Sequence, residues 1–147
     1  CRGFQEFNVA MGGTLHPEIR DIPGRQNHRM PPDGTLEEKF ALRHKVRLEA
    51  GGTFEGIFNS KSIMVNSLHG QGILEPGERE IIEGLAPDQT PEAIRIEGSK
   101  GFALAVQWHP EWNANKDPVS RPLFEKFSKA AYEWHGQSVK IFSNEVI

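Results

Sequence analysis

The chain has 147 residues, of which 37% are hydrophobic and 25% charged, a balance typical of one globular domain with its own core. Its formal net charge is −3 and its basic residues are scattered, which argues against a nucleic-acid partner. No apolar segment approaches the length of a membrane span, and no signal-peptide pattern is present. A single cysteine excludes an internal disulfide, which favours a reducing compartment. We therefore expect a cytoplasmic protein and, without a membrane-spanning segment, no membrane partner.

The first predicted element is a helix over residues 2–11, because Phe4, Phe7 and Met11 form a one-sided apolar stripe that ends at two glycines. This places Cys1 at a helix N-terminus. The helix dipole and the free amides there lower the pKa of a thiol and can bind developing negative charge. Taken alone, however, a cysteine at a helix start is a weak signal, and a small residue without a role is the favoured interpretation.

The next stretch predicts two strands separated by a long loop. A short strand over residues 14–16 leads into residues 17–34, which are rich in Pro, Gly, Asn, Asp and Arg. A loop of this length is usually a functional lid or disordered, and we expect His28 and Arg29 in it to be solvated. Alternating apolar and polar side chains then predict a half-buried strand over residues 44–49.

Polar groups gather where the following strand ends. A short apolar run at residues 63–65 leads into residues 66–72, which carry a hydroxyl, two amides, an imidazole and two glycines. Either an ordinary turn or a ligand site fits this composition. Residues 80–85 and 93–97 then predict two strands of a meander.

A histidine and a carboxylate follow the next strand, over residues 102–108. Pro110 cannot donate to a sheet ladder, so this strand should end near His109 and Glu111. A carboxylate beside a histidine can hold its tautomer and stabilise its charged form. Such a pair needs a nucleophile, and Cys1 carries the only thiol of the chain.

A last helix is predicted to begin at Ser120 as N-cap and to end at Gly136. Its predicted buried face consists of Leu123, Phe127, Ala130, Ala131 and Trp134. Elsewhere, four histidines lack the spacing of metal ligands, so we expect no metal site. These are His16, His28, His44 and His135.

Together these residues resemble a family. Cys1-Arg2-Gly3-Phe4-Gln5 resembles the nucleophile segment of class I glutamine amidotransferase-like proteins, and Trp108-His109-Pro110-Glu111 resembles the second half of their Cys-His-Glu triad. Residues 65–72 and 106–113, with Ser120-Arg121, are more similar still to its branch of γ-glutamyl-γ-aminobutyrate and γ-glutamyl-polyamine hydrolases.

The resemblance implies an α/β fold, the three-layer, flavodoxin-like domain of that family. Residues 1–147 would be the C-terminal part of one such domain, beginning at the nucleophile elbow. Its upstream part would be a partner, on a separate chain or an omitted segment. We expect the first helix on one face of a mostly parallel sheet, a small antiparallel element after residue 43, and an exposed apolar sheet edge.

The resemblance also implies cysteine-dependent hydrolysis of a small γ-glutamyl amide through a thioester, without metal or organic cofactor. Three residues would be catalytic: Cys1, His109 and Glu111. Five would bind the substrate: Arg2, Gln5, Ser67, Leu68 and His69. The Arg2 amide would stabilise the oxyanion, and a second donor would come from the upstream part.

Four other functions stay open on the sequence. The chain could be the glutaminase half of an amidotransferase, a cysteine peptidase, or a non-catalytic fragment or binding module. An N-terminal-nucleophile hydrolase would use the α-amine of Cys1 as base, but it leaves His109 and Glu111 without a role. A homo-oligomer is also compatible with the sequence.

Overall fold

The computed structural model describes the backbone of residues 1–144 and the side chains of residues 1–136. No helix in this part of the chain is both long and apolar enough to cross a membrane. The elements in chain order are α1 (Arg2–Ala10), β1 (Thr14–His16), a 3₁₀ turn (Ile19–Asp21), α2 (Leu36–Lys39), β2 (His44–Leu48), α3 (Thr53–Phe58), β3 (Ser62–Val65), β4 (Gly72–Glu75), β5 (Glu80–Leu85), β6 (Pro91–Ile96), β7 (Leu104–Val106) and α4 (Ser120–Asn144).

The main sheet has five strands in the order β3-β2-β5-β6-β7, and each neighbouring pair is antiparallel. A separate ribbon pairs β1 with β4, also antiparallel. The expectation of a mostly parallel sheet is therefore wrong for the described residues. Short connections such as residues 86–90 join antiparallel neighbours, whereas parallel neighbours need a crossover of a dozen or more residues.

Helices cover both faces of this sheet. On one face, Phe54 of α3 and Leu123 of α4 pack with Val46 and Ala93 in the larger hydrophobic cluster. On the other, Phe4 of α1 packs with a second, smaller cluster that includes the fully buried Ile94 of β6. Because successive residues of a strand face opposite sides, one strand serves both clusters, and the predicted layered α/β arrangement is confirmed.

The last helix begins at Ser120 as predicted, but its predicted cap and its predicted end are wrong. Asp117 caps α4: its carboxylate accepts from the amides of Val119 at 3.3 Å and Ser120 at 2.9 Å, and it also bonds the Ser120 hydroxyl. Ser120 is thus inside the first turn and is not the N-cap. The helix also continues through Gly136 to Asn144, since an interior glycine costs only about 1 kcal/mol.

The predicted buried face of α4 is largely exposed. Leu123 is buried, but Phe127 and Trp134 are 53% and 69% exposed. The apolar spacing identified a helix correctly, but the buried contact with the core comes from the first turns of α4.

The long loop of residues 17–34 is packed on the sheet. Its backbone bonds to the loop of residues 66–72, from the Ile19 amide to the Gly70 carbonyl at 2.8 Å and from the His69 amide to the His28 carbonyl at 2.9 Å. His28 is only 2% exposed, so the prediction that it is solvated is wrong. Arg29 is exposed as predicted and forms an ion pair with Glu18.

Candidate functional site

His109 lies just after β7, where the side chain of Asn66 holds its backbone. Asn66 Oδ1 accepts from the His109 amide at 2.8 Å, and Asn66 Nδ2 donates to the His109 carbonyl at 3.0 Å. Asn66 follows β3, at the opposite edge of the sheet from β7. This buried amide therefore fixes the position of the histidine from a distant strand, a role the sequence did not reveal.

His109 and Glu111 form a hydrogen-bonded pair. The His109 Nδ1 atom lies 2.6 Å from Glu111 Oε1. Partial burial raises the pKa of the Glu111 carboxyl, but the hydrogen bond and charge of His109 outweigh it and hold that pKa below its ordinary value. With the Nδ1 proton donated to a carboxylate, Nε2 presents a lone pair that can accept a proton.

Cys1 is the N-cap of α1, and the end of β7 lies beside it. The Cys1 nitrogen donates to the Val106 carbonyl at 3.3 Å, three residues before His109. Cys1, His109 and Glu111 all line one open cavity of about 920 Å³. The three residues predicted to be catalytic therefore share one cavity, and their roles there stay predictions.

The backbone amide of Arg2 opens the first turn of α1, where amides have no intrahelical acceptor. Its side chain points to solvent and pairs with Glu6 at 2.8 Å. The amide is therefore available to an oxyanion in the cavity that Arg2 helps to line.

Gln5 is buried, and its side-chain nitrogen donates to the Gln71 carbonyl at 3.1 Å and to Gln107 Oε1 at 3.2 Å. Both amide protons are thus used within the protein. They tie α1 to the loop of residues 66–72 and to the end of β7. Binding of substrate by Gln5 stays a prediction.

The other predicted substrate-binding side chains do not line the Cys1 cavity. Ser67 is 1% exposed and its hydroxyl donates to the His28 carbonyl at 3.0 Å. His69 is 4% exposed, with Nδ1 2.8 Å from the Gln71 carbonyl, and Leu68 is half-buried. The side chains of Ser67 and His69 are thus hydrogen-bonded within the protein, and the predicted contact of all three residues with substrate stays a prediction.

An aromatic stack lies beside His109, and the part of Phe40 in it was not predicted. The rings of Phe40 and Trp112 are stacked with centroids 4.4 Å apart, and Phe40 also meets the His109 ring edge-on at 5.9 Å. Phe40 directly follows α2 as its C-cap, and the helix begins with a capping box between Thr35 and Glu38. The Thr-x-x-Glu pattern is readable in the sequence and could have located this short helix.

A second group of titratable residues lies in the interior. Donor atoms of His28, His44 and Glu92 all lie within 4.8 Å of one another, and all three residues are buried. The spacing of His28 and His44 along the chain gave no sign that they lie together in the interior. Burial raises the pKa of Asp88 beside His28, but hydrogen bonds from the Gln26 amide, His28 and the Thr90 amide lower it to about 2.

Comparison with known proteins identifies the family of the chain. The Peptidase C26 family matches residues 1–111. The gamma-glutamyl-gamma-aminobutyrate hydrolase PuuD of Escherichia coli K12 is 41% identical over 131 residues, which cover 88% of this chain and 51% of that protein. The gamma-glutamyl-gamma-aminobutyrate hydrolase of Shigella flexneri matches with the same identity and coverage. The chain thus spans about half the length of these relatives.

The fold has a match among solved structures. The crystal structure of a GMP synthase subunit from Thermoplasma acidophilum superposes with a TM-score of 0.64 at 14% identity, covering 94% of this chain and 58% of that one. The resemblance to the class I glutamine amidotransferase-like fold is thereby confirmed. On the match over residues 1–111 and the identity to these relatives, the chain belongs to the Peptidase C26 family.

Proposed function

We propose that the protein carrying this chain hydrolyses γ-glutamyl amides and that γ-glutamyl-γ-aminobutyrate is its preferred substrate. One observation carries the proposal: the His109–Glu111 pair lines the same cavity as the only thiol of the chain. Relatives 41% identical to the chain are named for this reaction, which supports the choice of substrate.

In the first half of the reaction, the Cys1 thiol gives its proton to His109 Nε2, and the sulfur attacks the γ-carbonyl carbon of the glutamyl group. The carbonyl electrons move to the oxygen, and the Arg2 amide stabilises this oxyanion. As the oxyanion collapses, the carbon–nitrogen bond breaks and His109 returns its proton to the leaving amine. Glu111 keeps Nδ1 protonated and stabilises the imidazolium between these two steps.

In the second half, His109 Nε2 takes a proton from water, and the oxygen attacks the thioester carbon. Collapse of the second tetrahedral intermediate breaks the carbon–sulfur bond. The sulfur leaves, regaining its proton from His109, and free glutamate is released. These steps need a base, a nucleophile and an amide donor, all present in the chain.

We infer that the upstream part of the domain packs against the open cavity that Cys1 lines, next to β7. This strand lies at the edge of the sheet, and apolar residues line the cavity next to it. They include Phe7, Met11, Phe102 and Leu104. A covering segment would bury these side chains and bring the second oxyanion donor, whose loss typically costs roughly a hundred- to a thousand-fold in rate.

We further propose that the amine end of the substrate lies against the aromatic stack. The leaving nitrogen must come within hydrogen-bond reach of His109, and Phe40 contacts the ring of this residue. Phe40 and Trp112 also line a cavity of about 300 Å³. An apolar wall at this position suits the methylene chain of γ-aminobutyrate.

A panel of amides tests the proposal. Glutamate release is measured with γ-glutamyl-γ-aminobutyrate, γ-glutamylputrescine, glutamine and the α-linked isomers, before and after alkylation of Cys1. The expected result is preference for the γ-glutamyl amides and loss of activity on alkylation. Preferential hydrolysis of α-linked peptides would favour a cysteine peptidase instead.

Two further outcomes distinguish a glutaminase and a binding module from the proposed hydrolase. Glutamine turned over faster than every other amide would favour the glutaminase half of an amidotransferase. Binding of γ-glutamyl compounds without turnover, in a protein whose Cys1 still reacts with iodoacetamide, would favour a binding module. The first outcome contradicts the proposed preference for γ-glutamyl-γ-aminobutyrate, and the second contradicts hydrolysis altogether.

A further inference from the structure

Three imidazoles surround one buried carboxylate outside the cavity that holds Cys1. Glu92 of β6 is fully buried, and its Oε1 atom lies 3.3 Å from His69 Nε2, 3.5 Å from His44 Nε2 and 3.7 Å from His28 Nδ1. Within residues 1–136, no lysine or arginine forms an ion pair with Glu92. The negative charge of Glu92 must therefore be balanced by the three imidazoles or by a group bound to them.

The outer nitrogen of each imidazole already has an acceptor. His28 Nε2 lies 2.9 Å from the Asp88 carboxylate, and His69 Nδ1 lies 2.8 Å from a backbone carbonyl. His44 Nδ1 lies 3.3 Å from the carbonyl of its neighbour. An oxygen acceptor requires the proton on the nitrogen that faces it, so each neutral ring turns a lone pair toward Glu92.

With neutral rings this arrangement leaves acceptors facing acceptors, and only a charged His69 could donate across its 3.3 Å contact with Glu92 Oε1. His44 Nε2 and Glu92 Oε2 have no hydrogen-bond partner in the protein. Water does not readily reach them, because His44 is only 8% exposed and Glu92 is 0% exposed. The Ser67 hydroxyl approaches His28 Nδ1 at 3.0 Å but donates to the His28 carbonyl. Buried polar atoms are normally paired, so a cluster of inward lone pairs around a carboxylate points to a bound cation.

We propose that a zinc ion binds His28 Nδ1, His44 Nε2 and a carboxylate oxygen of Glu92, the three residues whose ligand atoms lie within 4.8 Å of one another. His69 Nε2 lies outside this group of three but 3.3 Å from Glu92 Oε1, so the fourth position falls to it or to water. Ligands roughly 2.0–2.1 Å from a tetrahedral zinc stand about 3.3–3.4 Å apart, close to the spacings between Glu92 Oε1 and the three nitrogens. The hydrogen bond from each outer nitrogen to a carboxylate or carbonyl is the usual support of a metal-bound histidine.

The donor set selects the class of metal. Imidazole nitrogens with one carboxylate suit zinc and its first-row neighbours, whereas magnesium and calcium prefer oxygen ligands alone. Because all the ligands are buried and none lines the Cys1 cavity, the ion is structural. It joins the loop of residues 17–34 to β2, β6 and the loop of residues 66–72, and so fixes the loop that precedes β4.

Metal content and metal-dependent stability test this site. The purified protein is stripped with a chelator, dialysed, and titrated with Zn²⁺ against a chromophoric competitor, with Mg²⁺ as the comparison ion. We expect about one Zn²⁺ per chain, a rise in Tm with Zn²⁺ but not with Mg²⁺, and visible absorption bands of tetrahedral Co²⁺ after cobalt substitution. Less than about 0.1 Zn²⁺ per chain with no rise in Tm would overturn the proposal.

Variants locate the ion. His44→Gln and Glu92→Gln should each weaken zinc binding by roughly a hundred-fold or more, whereas the exposed His135→Gln should bind as the wild type does. Unchanged zinc affinity in folded H44Q and E92Q would place the metal elsewhere and overturn the proposal. Should these variants not fold, extended X-ray absorption of the zinc-loaded wild type decides: imidazole scattering supports the site, and an all-oxygen shell overturns it.

Discussion

Asn66 bonds the backbone of His109 on both sides, accepting from its amide at 2.8 Å and donating to its carbonyl at 3.0 Å. The side chain of one strand end thus fixes the position of the proposed base on another. Because Asn66 is 6% exposed, water does not readily replace it.

Asn66→Ala should therefore lower both stability and turnover. Two hydrogen bonds of this kind contribute about 1–3 kcal/mol in total, and the unpaired His109 amide and carbonyl add to the loss. We expect kcat to fall roughly ten- to a hundred-fold while KM changes less, because the base is displaced rather than removed. Asn66→Asp keeps the acceptor but loses the donor, and should fall between Asn66→Ala and the wild type in Tm. Unchanged kcat in Asn66→Ala would contradict the positioning role.

The three proposed catalytic residues should differ in their effects. Cys1→Ala and His109→Ala should each reduce γ-glutamyl amide hydrolysis to background. Glu111→Gln should retain at least roughly ten-fold more activity than His109→Ala, since the residue that orients a base usually matters less than the base. Glu125→Gln, which changes an exposed glutamate on α4, is the matched control and should leave kcat/KM unchanged. The measurement is kcat/KM for glutamate release, and equal losses in all three variants would argue against these roles.

The lowered pKa of Glu111 predicts a flat pH dependence of its contribution. Its pKa in the folded protein lies below the ordinary value of 4.5, because the hydrogen bond from His109 outweighs the effect of partial burial. The carboxylate therefore stays charged at every pH above about 4.5, and its support of His109 is lost only as the pH falls through the lower folded value. The carboxyl carbon signal of Glu111, followed by NMR of the wild-type protein, should not change from pH 8 to about 5. A change in that signal already between pH 7 and 6 would show that Glu111 titrates higher.

Phe40→Ala should weaken the binding of the amine end. Each methylene of the amine buried against the ring contributes about 0.8 kcal/mol, so each one uncovered corresponds to roughly a four-fold rise in KM for γ-glutamyl-γ-aminobutyrate. Glutamine has no chain on its leaving nitrogen, so its KM should change less. Leu36→Ala truncates an exposed side chain of the same helix and controls for loss of α2. Equal changes for both substrates would contradict contact between the stack and the amine.

Asp117→Ala should destabilise α4 by about 0.5–2 kcal/mol, the usual contribution of an N-cap side chain. The carboxylate accepts from two amides of the first turn, so its removal leaves both without a partner. Asp117→Asn keeps an acceptor oxygen and should recover most of the loss. Chemical denaturation followed by circular dichroism gives the free energy of unfolding. Identical values for Asp117→Ala and the wild type would show that another group caps the helix.

Local chemistry was readable from the sequence. The stripe of Phe4 and Phe7 predicted α1, and alternation around Val46 predicted β2, because helix and strand periodicity depend only on near neighbours in the chain. The contact between His109 and Glu111 was predictable for the same reason. Only Pro110, which ends the strand, separates the two residues in the chain. Helix ends were less certain: the pattern did not distinguish Ser120 from Asp117 as the cap, because both residue types favour that position.

What the tertiary structure decided was long-range proximity and burial. His28, His44 and Glu92 belong to a loop and two strands far apart in the chain, and only the pairing of β2, β5 and β6 with the packed loop brings them together. Strand order and register also set the antiparallel sheet, the Asn66–His109 bonds and the exposure of Phe127. These depend on which surfaces meet, and residue spacing along one chain carries no such information.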